Sequence, residues 1–390
     1  MALQNGTRPG TGLRELPGLT PLRGIAALWV VFYHFSAEYL PQLNTKDFSH
    51  IIPKGYLAVD LFFLLSGFVL AHVYGAGLER GDRCRFLPFI RARLARVYPL
   101  HLFVLVVFVS LTLAVGLLHH PSGRFTAPMP LTGERSLTAL VANLFMLQGI
   151  HAGGLSWNYP AWSISTEFMA YLAFPLLLPV VWRAGPRLRL ALTLLLLGAL
   201  AGFSYATGDY FNQWDGAPAV LRCLDEFLMG CVAYVTFGRN AAGILASDWV
   251  AFPTLGLLLL LLQSDGPDIA AVLLFAPLIL ATVANDGRFA QMLNARPLIW
   301  LGEISYSLYL VQDLVKYATT EFLSAAGLHH RQLSLPVSVA LAAAMIVTCL
   351  LMSTLTYRLV EQPARRYLKQ GLRRGGTRSA PIATGEACSG

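Results

Sequence analysis

Long apolar stretches alternate with short polar connections along almost the whole chain. A helix that crosses a bilayer needs about 20 mostly apolar residues, and ten stretches come near that length. The pattern therefore predicts an all-α, polytopic transmembrane helical bundle of about ten spans. The predicted spans are residues 19–40, 56–77, 97–118, 159–182, 188–205, 219–238, 250–263, 268–285, 300–323 and 336–360. The segment 136–150 is apolar but short, so we expect an interfacial or re-entrant helix there.

The basic residues predict the orientation of this bundle. Cytoplasmic loops carry an excess of Lys and Arg, and the connections at 79–96 and 182–189 are rich in them, as is the C-terminal stretch 365–378. With an even number of spans these regions fall on the side of the N-terminus, so both termini are expected to be cytoplasmic. The predicted divisions are a cytoplasmic N-terminal segment 1–17, a membrane domain 18–367 and a disordered, basic cytoplasmic tail 368–390.

Composition favours an integral membrane protein and argues against other classes. Of the 390 residues, 55% are hydrophobic and 13% are charged, whereas about 25% of a soluble chain is charged. The formal net charge of +8 lies in the connections between apolar runs, so no nucleic-acid partner is expected. The 5 cysteines show neither CxxC nor Cys/His spacing, so we expect no disulfide framework and no metal site.

Two ionisable residues, whose placement inside a membrane is energetically unfavourable, lie in the first predicted span. Ionisable groups inside spans usually face the bundle interior and indicate function. Arg23 and His34 are eleven residues apart, which returns them to within about 20° of one helix face and separates them by ~16 Å. Snorkelling of Arg23 and a neutral, satisfied His34 are the structural alternatives. The pair suits a long anionic ligand, such as acyl-coenzyme A, with its phosphates at Arg23 and its reactive end at His34.

Two carboxylates are expected at the depth of His34. By the predicted topology, Asp60 and Glu167 both fall in the outer half of the membrane, as His34 does. A carboxylate beside an imidazole orients it and stabilises its charged form, as a general base requires. The sequence therefore predicts that Glu167 or Asp60 acts with His34, although an isolated buried carboxylate would stay protonated.

Two further pairs lie in the second and third spans. Ser66 and Gly67 are near mid-membrane, where small residues also serve helix packing. Arg93 and Arg96, three residues apart, share a helix face, and two guanidiniums on one face suit phosphate binding. Anchoring of the chain at the cytoplasmic surface is the alternative for this arginine pair.

These motifs resemble, in order, those of the acyltransferase-3 family of polytopic membrane acyltransferases. "LRGIAALWVVFYH" matches its Arg-x10-His, "VDLFFLLSGF" its FFxxSG, and "RARLARVYP" its RxxR. "AWSISTEFMAYLAFPL" is similar to its WSLSxE segment, "LGEISYSLYL" to its SYSLYL segment, and "LVEQPARR" to its final ExP. The resemblance covers about residues 18–367. Family members commonly have a His where this chain has Gln312, which can accept a hydrogen bond but cannot titrate.

The resemblance implies a bacterial plasma (inner) membrane enzyme that moves an acyl group, with acetyl the expected one, from acyl-CoA to a hydroxyl. The acceptor would be a glycan or a lipid-linked saccharide, surrounded by membrane lipids, and no cofactor would be permanently bound. The expected catalytic residues are His34, Glu167 and Asp60. The expected donor-binding residues are Arg23, Arg93, Arg96, Ser66 and Gly67. The expected supporting residues are Tyr171, Tyr306 and Gln312.

Two alternatives stay open at this point. His34 could form a covalent acyl intermediate instead of acting as a general base. A transporter or flippase could also use buried Arg, His and Glu as a relay, but the inverted repeats common in such folds are not visible in the sequence.

Overall fold

The computed structural model describes residues 16, 18–79, 86–119, 131–150, 157–208, 211, 216–237 and 247–367. Within these ranges the regular structure is entirely helical, as predicted. The α-helices are α1 (Leu19–Phe32), α2 (Ala58–Glu79), α3 (Phe86–His119), α4 (Leu137–Leu144), α5 (Ala161–Arg183), α6 (Pro186–Thr207), α7 (Gly216–Thr236), α8 (Asp248–Gln263), α9 (Asp268–Ala284), α10 (Arg288–Leu293), α11 (Arg296–Glu303), α12 (Ser305–Ala325) and α13 (Leu335–Thr356). π-Helical turns extend α1 over Tyr33–Tyr39 and α13 over Tyr357–Glu361.

Five of the described helices are long and apolar enough to cross a membrane. They cover Gly55–Gly75, Phe86–Gly116, Ala161–Arg183, Pro186–Ala206 and Leu335–Tyr367. Two apolar helices are shorter, Asp248–Gln263 and Asp268–Val283. Helices also occupy the other predicted spans, but α7 and α12 each carry three charged residues. The total of ten spans and the location of the termini therefore stay predictions. The terminal segments 1–17 and 368–390 lie outside the described residues, apart from Leu16.

Local sequence signals set the ends of several helices. Proline at the first turn is pre-organised for a helix, and glycine favours the left-handed residue that follows one. The helix α6 begins at Pro186 and ends at Thr207, and Gly208, which follows it, has a φ of 73°. The side chain of Ser136 accepts a hydrogen bond from the backbone N–H of Ala139 and so caps α4. With eight residues, α4 is too short to span a bilayer, and its interfacial or re-entrant placement stays a prediction.

The predicted span 300–323 is wrong in one respect, because the structure divides it into α11 and α12 at Ile304. The Oγ of Ser305 donates to the carbonyl of Gly302 at 2.8 Å, so this carbonyl at the break has a hydrogen-bond partner. Gly302 also lies against α1, where an added Cβ would come within 2.1 Å of the carbonyl oxygen of Thr20. This backbone contact fixes the end of α11 on the first helix, beside Arg23.

Glycines also bring α2 and α7 into direct backbone contact. A Cβ added to Gly67 would lie 1.9 Å from the carbonyl oxygen of Phe227, and one added to Gly230 would lie 2.1 Å from that of Leu64. Small residues let membrane helices approach in this way. In the structure Gly67 packs against α7. Helix packing is the role that the sequence offered for Gly67 as an alternative to donor binding.

Candidate functional site

A cavity opens between α1, α2, α3, α5 and α12. It brings together six of the residues that the sequence singled out. These are Arg23, Ser66, Arg93, Arg96, Glu167 and Tyr306. Tyr309 and Ser163 also line it, and neither was predicted from the sequence. We call this space the arginine cavity.

Positive charge dominates the arginine cavity. Arg96 lies within electrostatic reach of Arg23 and Arg93, and also of Arg365, at the C-terminal end of the described chain. The Nε atoms of Arg93 and Arg365 are buried and have no hydrogen-bond partner among the described residues. Guanidiniums that interact in a low-dielectric site repel one another unless an anion compensates their charge. Arg365 belongs to the final "LVEQPARR" motif and was predicted only as part of the basic C-terminal stretch 365–378.

Two carboxylates partly offset this charge. Glu167 and Glu361 are both close enough to Arg23 to attract it. The hydroxyl of Tyr171 donates to Oε1 of Glu167 at 2.5 Å and lies 3.3 Å from Oγ of Ser66. Glu361 pairs with Arg365 at 2.5 Å and accepts from Oγ of Ser307 at 2.7 Å.

Glu167 therefore lies with the arginines and does not face His34 as expected. The reason is the depth at which α5 begins. The ring of Tyr159, just before α5, meets the ring of His34 edge-on at 5.7 Å between centroids, so the chain is already at the level of His34 there. Glu167 follows eight residues later, or ~12 Å along the helix, and this places it near Arg23.

His34 lies in a separate polar group beyond the cavity wall. Its Nδ1 is 3.2 Å from Oε1 of Gln312, and the Nε2 of Gln312 donates to the carbonyl of Tyr309 at 3.1 Å. Because that second bond orients the amide, Oε1 faces His34 and must accept from Nδ1–H. The other nitrogen, Nε2, is then the unprotonated one and can act as a base.

A carboxylate does lie near that nitrogen, but it belongs to Glu38. Its Oε2 is 3.7 Å from Nε2 of His34, one helical turn further along the same segment. Lys316 and Asp313, paired at 2.8 Å, also act electrostatically on His34. Asp313 accepts from the backbone N–H of Tyr159 at 3.0 Å. Glu38 and Lys316 could have been found from the sequence, since each is an ionisable residue within a predicted span.

Asp60 belongs to a third group, away from His34. Its two oxygens accept from Nε and Nη2 of Arg222 at 2.9 and 2.5 Å, and Glu226 is 3.5 Å from the same guanidinium. Asp60, Arg222 and Glu226 are 0%, 2% and 0% exposed. The contacts of Asp60 are therefore those of a buried ion pair that joins α2 to α7, and its expected catalytic partnership with His34 is not what the structure shows.

Tyr306 lines the cavity and braces α12 against α3, because its hydroxyl donates to the carbonyl of Val97 at 2.6 Å. Among the described residues, no three His, Cys, Asp or Glu side chains lie together in a way that could hold a metal ion.

The chain is similar in sequence to known acyltransferases. The sequence profile of the acyltransferase-3 family, described as an acyltransferase domain, matches residues 16–354. Acyltransferase MdmB of Streptomyces mycarofaciens is 28% identical over 398 residues, covering 96% of this chain and 97% of that protein. O-acetyltransferase OatA of Staphylococcus aureus is 25% identical over 381 residues, covering 90% of this chain but 58% of that protein.

A shorter match, 33% identical over 189 residues, joins 47% of the chain to protein 2 in the picA locus of Rhizobium radiobacter. No solved structure matches the chain. The family profile covers most of the chain, including the segments that build the arginine cavity and the His34 group. The protein is thus a member of the acyltransferase-3 family, an integral membrane O-acyltransferase.

Proposed function

We propose that this enzyme takes its acyl group from an acyl-CoA thioester and transfers it to a hydroxyl of a glycan or lipid-linked saccharide. The observation that carries the proposal is the arginine cavity, with His34 about 16 Å further along α1. The arginine end of the bundle would face the cytoplasm, where acyl-CoA is made, in a bacterial plasma membrane. Acetyl is the proposed acyl group, in line with the name of the staphylococcal relative.

The charge of the cavity supports a polyanionic donor. Three guanidiniums and one carboxylate line the cavity, and the nearby Arg365 and Glu361 add one charge of each sign, so an excess of positive charge is left for the phosphates of CoA to neutralise. Arginine binds phosphate through paired N–H groups, and Arg93, which lines the cavity, has a buried Nε without a hydrogen-bond partner among the described residues.

His34 is proposed to act as the general base. Its Nε2 would take the proton of the acceptor hydroxyl while the acceptor oxygen forms a bond to the thioester carbonyl carbon. The C–S bond then breaks, and the CoA thiolate leaves and recovers the proton from the imidazolium. The amide oxygen of Gln312 accepts from Nδ1–H of His34, and because the amide does not titrate it keeps that role throughout the reaction. The Glu38 carboxylate stabilises the imidazolium.

The surroundings of His34 support a hydroxylated acceptor. The Lys316 Nζ lies 5.4 Å from the ring centroid of Tyr159, the Asp313 carboxylate accepts from the backbone N–H of Tyr159, and the Glu38 carboxylate interacts with Tyr159 electrostatically. Charged hydrogen-bonding groups beside an aromatic face suit a sugar, which has hydroxyls at its edges and C–H groups on its faces. Glu38 is about one-third exposed, so this group is reachable from outside the bundle.

Donor binding by the purified, full-length protein in lipid nanodiscs tests the proposal. CoA should bind to the wild type, and Arg23→Ala should weaken that binding by at least tenfold, the loss of one charge-assisted contact of about 1.5–3 kcal/mol. Arg183→Ala is the matched control, because Arg183 is an exposed arginine at the end of α5 outside the cavity. Equal affinities of Arg23→Ala, Arg183→Ala and the wild type would contradict a CoA site at the arginines.

A further inference from the structure

The hydroxyls of Tyr309 and Ser163 form a buried pair on the wall of the arginine cavity, 2.7 Å apart. Oγ of Ser163 also donates to the carbonyl of Pro160 at 3.0 Å. A serine hydroxyl has one proton, and the carbonyl of Pro160 can only accept. Tyr309 must therefore be the donor in the pair, and Ser163 the acceptor.

The position of Tyr309 connects the cavity to the base. It lies one turn before Gln312 on α12, so the two side chains share a helix face, and its carbonyl holds the amide of Gln312. Ser305 and Tyr306, nearer the start of α12, line the same cavity. An acyl group whose CoA phosphates bind the arginines thus meets Tyr309 on the way to His34. The ring of Phe62 packs edge-on against that of Tyr309, with 6.0 Å between centroids, and holds it in place.

Two other tyrosine hydroxyls on this side of the bundle have acceptors of their own. Tyr171 donates to the carboxylate of Glu167, and Tyr306 donates to the backbone carbonyl of Val97. Tyr309 donates to a neutral hydroxyl, which is a weaker acceptor than an anion. A developing oxyanion in the cavity would therefore attract the hydroxyl proton of Tyr309 away from Ser163 more readily than that of Tyr171 away from Glu167.

We propose that Tyr309 is a catalytic residue whose hydroxyl stabilises the oxyanion of acyl transfer; this assignment rests on the proposed function. As the acceptor oxygen bonds to the thioester carbon and its proton moves to Nε2 of His34, the carbonyl electron pair moves onto oxygen. That oxygen accepts the hydrogen bond of Tyr309. When the carbonyl re-forms, the C–S bond breaks, the thiolate takes the proton from His34, and Tyr309 returns to Ser163.

The test compares Tyr309→Phe with the wild type in nanodiscs, using radiolabelled acetyl-CoA and membranes from a deletion strain of the source bacterium as acceptor. Loss of one oxyanion donor costs roughly 100- to 1,000-fold in kcat, and we expect that loss with the Kd for CoA unchanged within about twofold. Tyr98→Phe is the matched control, because its hydroxyl donates to the carbonyl of Leu144 at an exposed position and its rate should equal that of the wild type.

Ser163→Ala separates catalysis from packing. It removes the resting acceptor but leaves the Tyr309 hydroxyl, so its loss in kcat should be at least tenfold smaller than that of Tyr309→Phe. Equal losses in the two variants would show that only their mutual hydrogen bond matters, and would overturn the assignment. A wild-type kcat in Tyr309→Phe would overturn it as well, with the proposed function intact. A wild type that neither binds CoA nor transfers acetyl would overturn both.

Discussion

Gln312 and His34 are joined across the bundle by a hydrogen bond of 3.2 Å between the amide Oε1 and the imidazole Nδ1. The bond from Gln312 Nε2 to the carbonyl of Tyr309 fixes the direction of the amide, and the amide fixes the tautomer of the imidazole. A residue that cannot titrate thus leaves Nε2 of His34 free to accept a proton.

Removing this acceptor should slow acyl transfer. In Gln312→Leu the side chain keeps a similar size but no longer holds Nδ1–H, so His34 loses both its orientation and its preferred tautomer. We expect kcat to fall by about 10- to 100-fold, by analogy with the loss of partners that orient metal-ligating histidines, while CoA binding stays normal. Wild-type turnover in Gln312→Leu would show that the bond does not position the base.

Placing a charge at the same position should move the pH dependence. Gln312→Glu puts a carboxylate beside the imidazole and stabilises the protonated ring. Because the base must be deprotonated to act, a higher pH is then needed to free Nε2. The acidic limb of the plot of kcat against pH should shift toward higher pH relative to the wild type. A shift toward lower pH, or none, would argue against His34 as the titrating base.

Glu38 and Glu167 should give different results when each is changed to glutamine. Glu38 lies 3.7 Å from Nε2 of His34, so Glu38→Gln should lower kcat with little change in the Kd for CoA. Glu167 competes with phosphate for Arg23, so Glu167→Gln should tighten CoA binding by about fivefold, or ~1 kcal/mol for one charge. A Glu167→Gln variant that loses turnover and keeps its Kd would restore the catalytic role that the sequence suggested.

The buried pair of Asp60 and Arg222 should govern stability. Asp60→Asn leaves a buried guanidinium without its full countercharge, which costs about 3–5 kcal/mol and should lower the melting temperature in detergent. The double variant Asp60→Leu/Arg222→Leu removes both charges and should melt above either single variant. If Asp60→Asn melts like the wild type but does not transfer acetyl, then Asp60 has a chemical role.

The contact of α2 with α7 gives a further stability prediction. Gly67→Ala would bring a Cβ within 1.9 Å of the carbonyl of Phe227, which forces the two helices apart, and the melting temperature should fall. Gly198→Ala on α6 is the matched control, because nothing lies within 4 Å of its added Cβ. Equal melting temperatures for the two variants would contradict the close packing of α2 on α7.

Much of this arrangement was predictable from sequence. The length of the apolar segments was enough to locate helices at the predicted spans, because a helix of about 20 apolar residues matches the thickness of the bilayer. The spacings of Arg93 with Arg96 and of Arg23 with His34 follow from helix geometry alone. The structure places the three arginines in one cavity and His34 beside Gln312, whose capacity to accept a hydrogen bond was evident from its side chain.

The sequence did not predict how deep Glu167 lies in the membrane, nor which residue from a distant part of the chain pairs with Asp60. Glu167 was assigned the depth of His34 because its span was counted from the edge of the bilayer, whereas α5 begins inside the bundle, near Tyr159. Asp60 was considered without Arg222, which is 162 positions away. Hydropathy reports how long a segment is, but neither where it starts in the membrane nor which helix it faces.

The separation of donor binding from chemistry is the central claim, and one pair of variants tests it most directly. The CoA Kd and the kcat for acetyl transfer should be measured for His34→Ala and Arg96→Ala in the same nanodiscs. We expect His34→Ala to bind CoA as the wild type does and to lose at least 100-fold in kcat, the lower end of what a general base contributes. Arg96→Ala should weaken CoA binding by at least tenfold, the scale of one charge-assisted hydrogen bond, yet turn over at saturating donor. Wild-type kcat in His34→Ala, or unchanged CoA affinity in Arg96→Ala, would contradict the account.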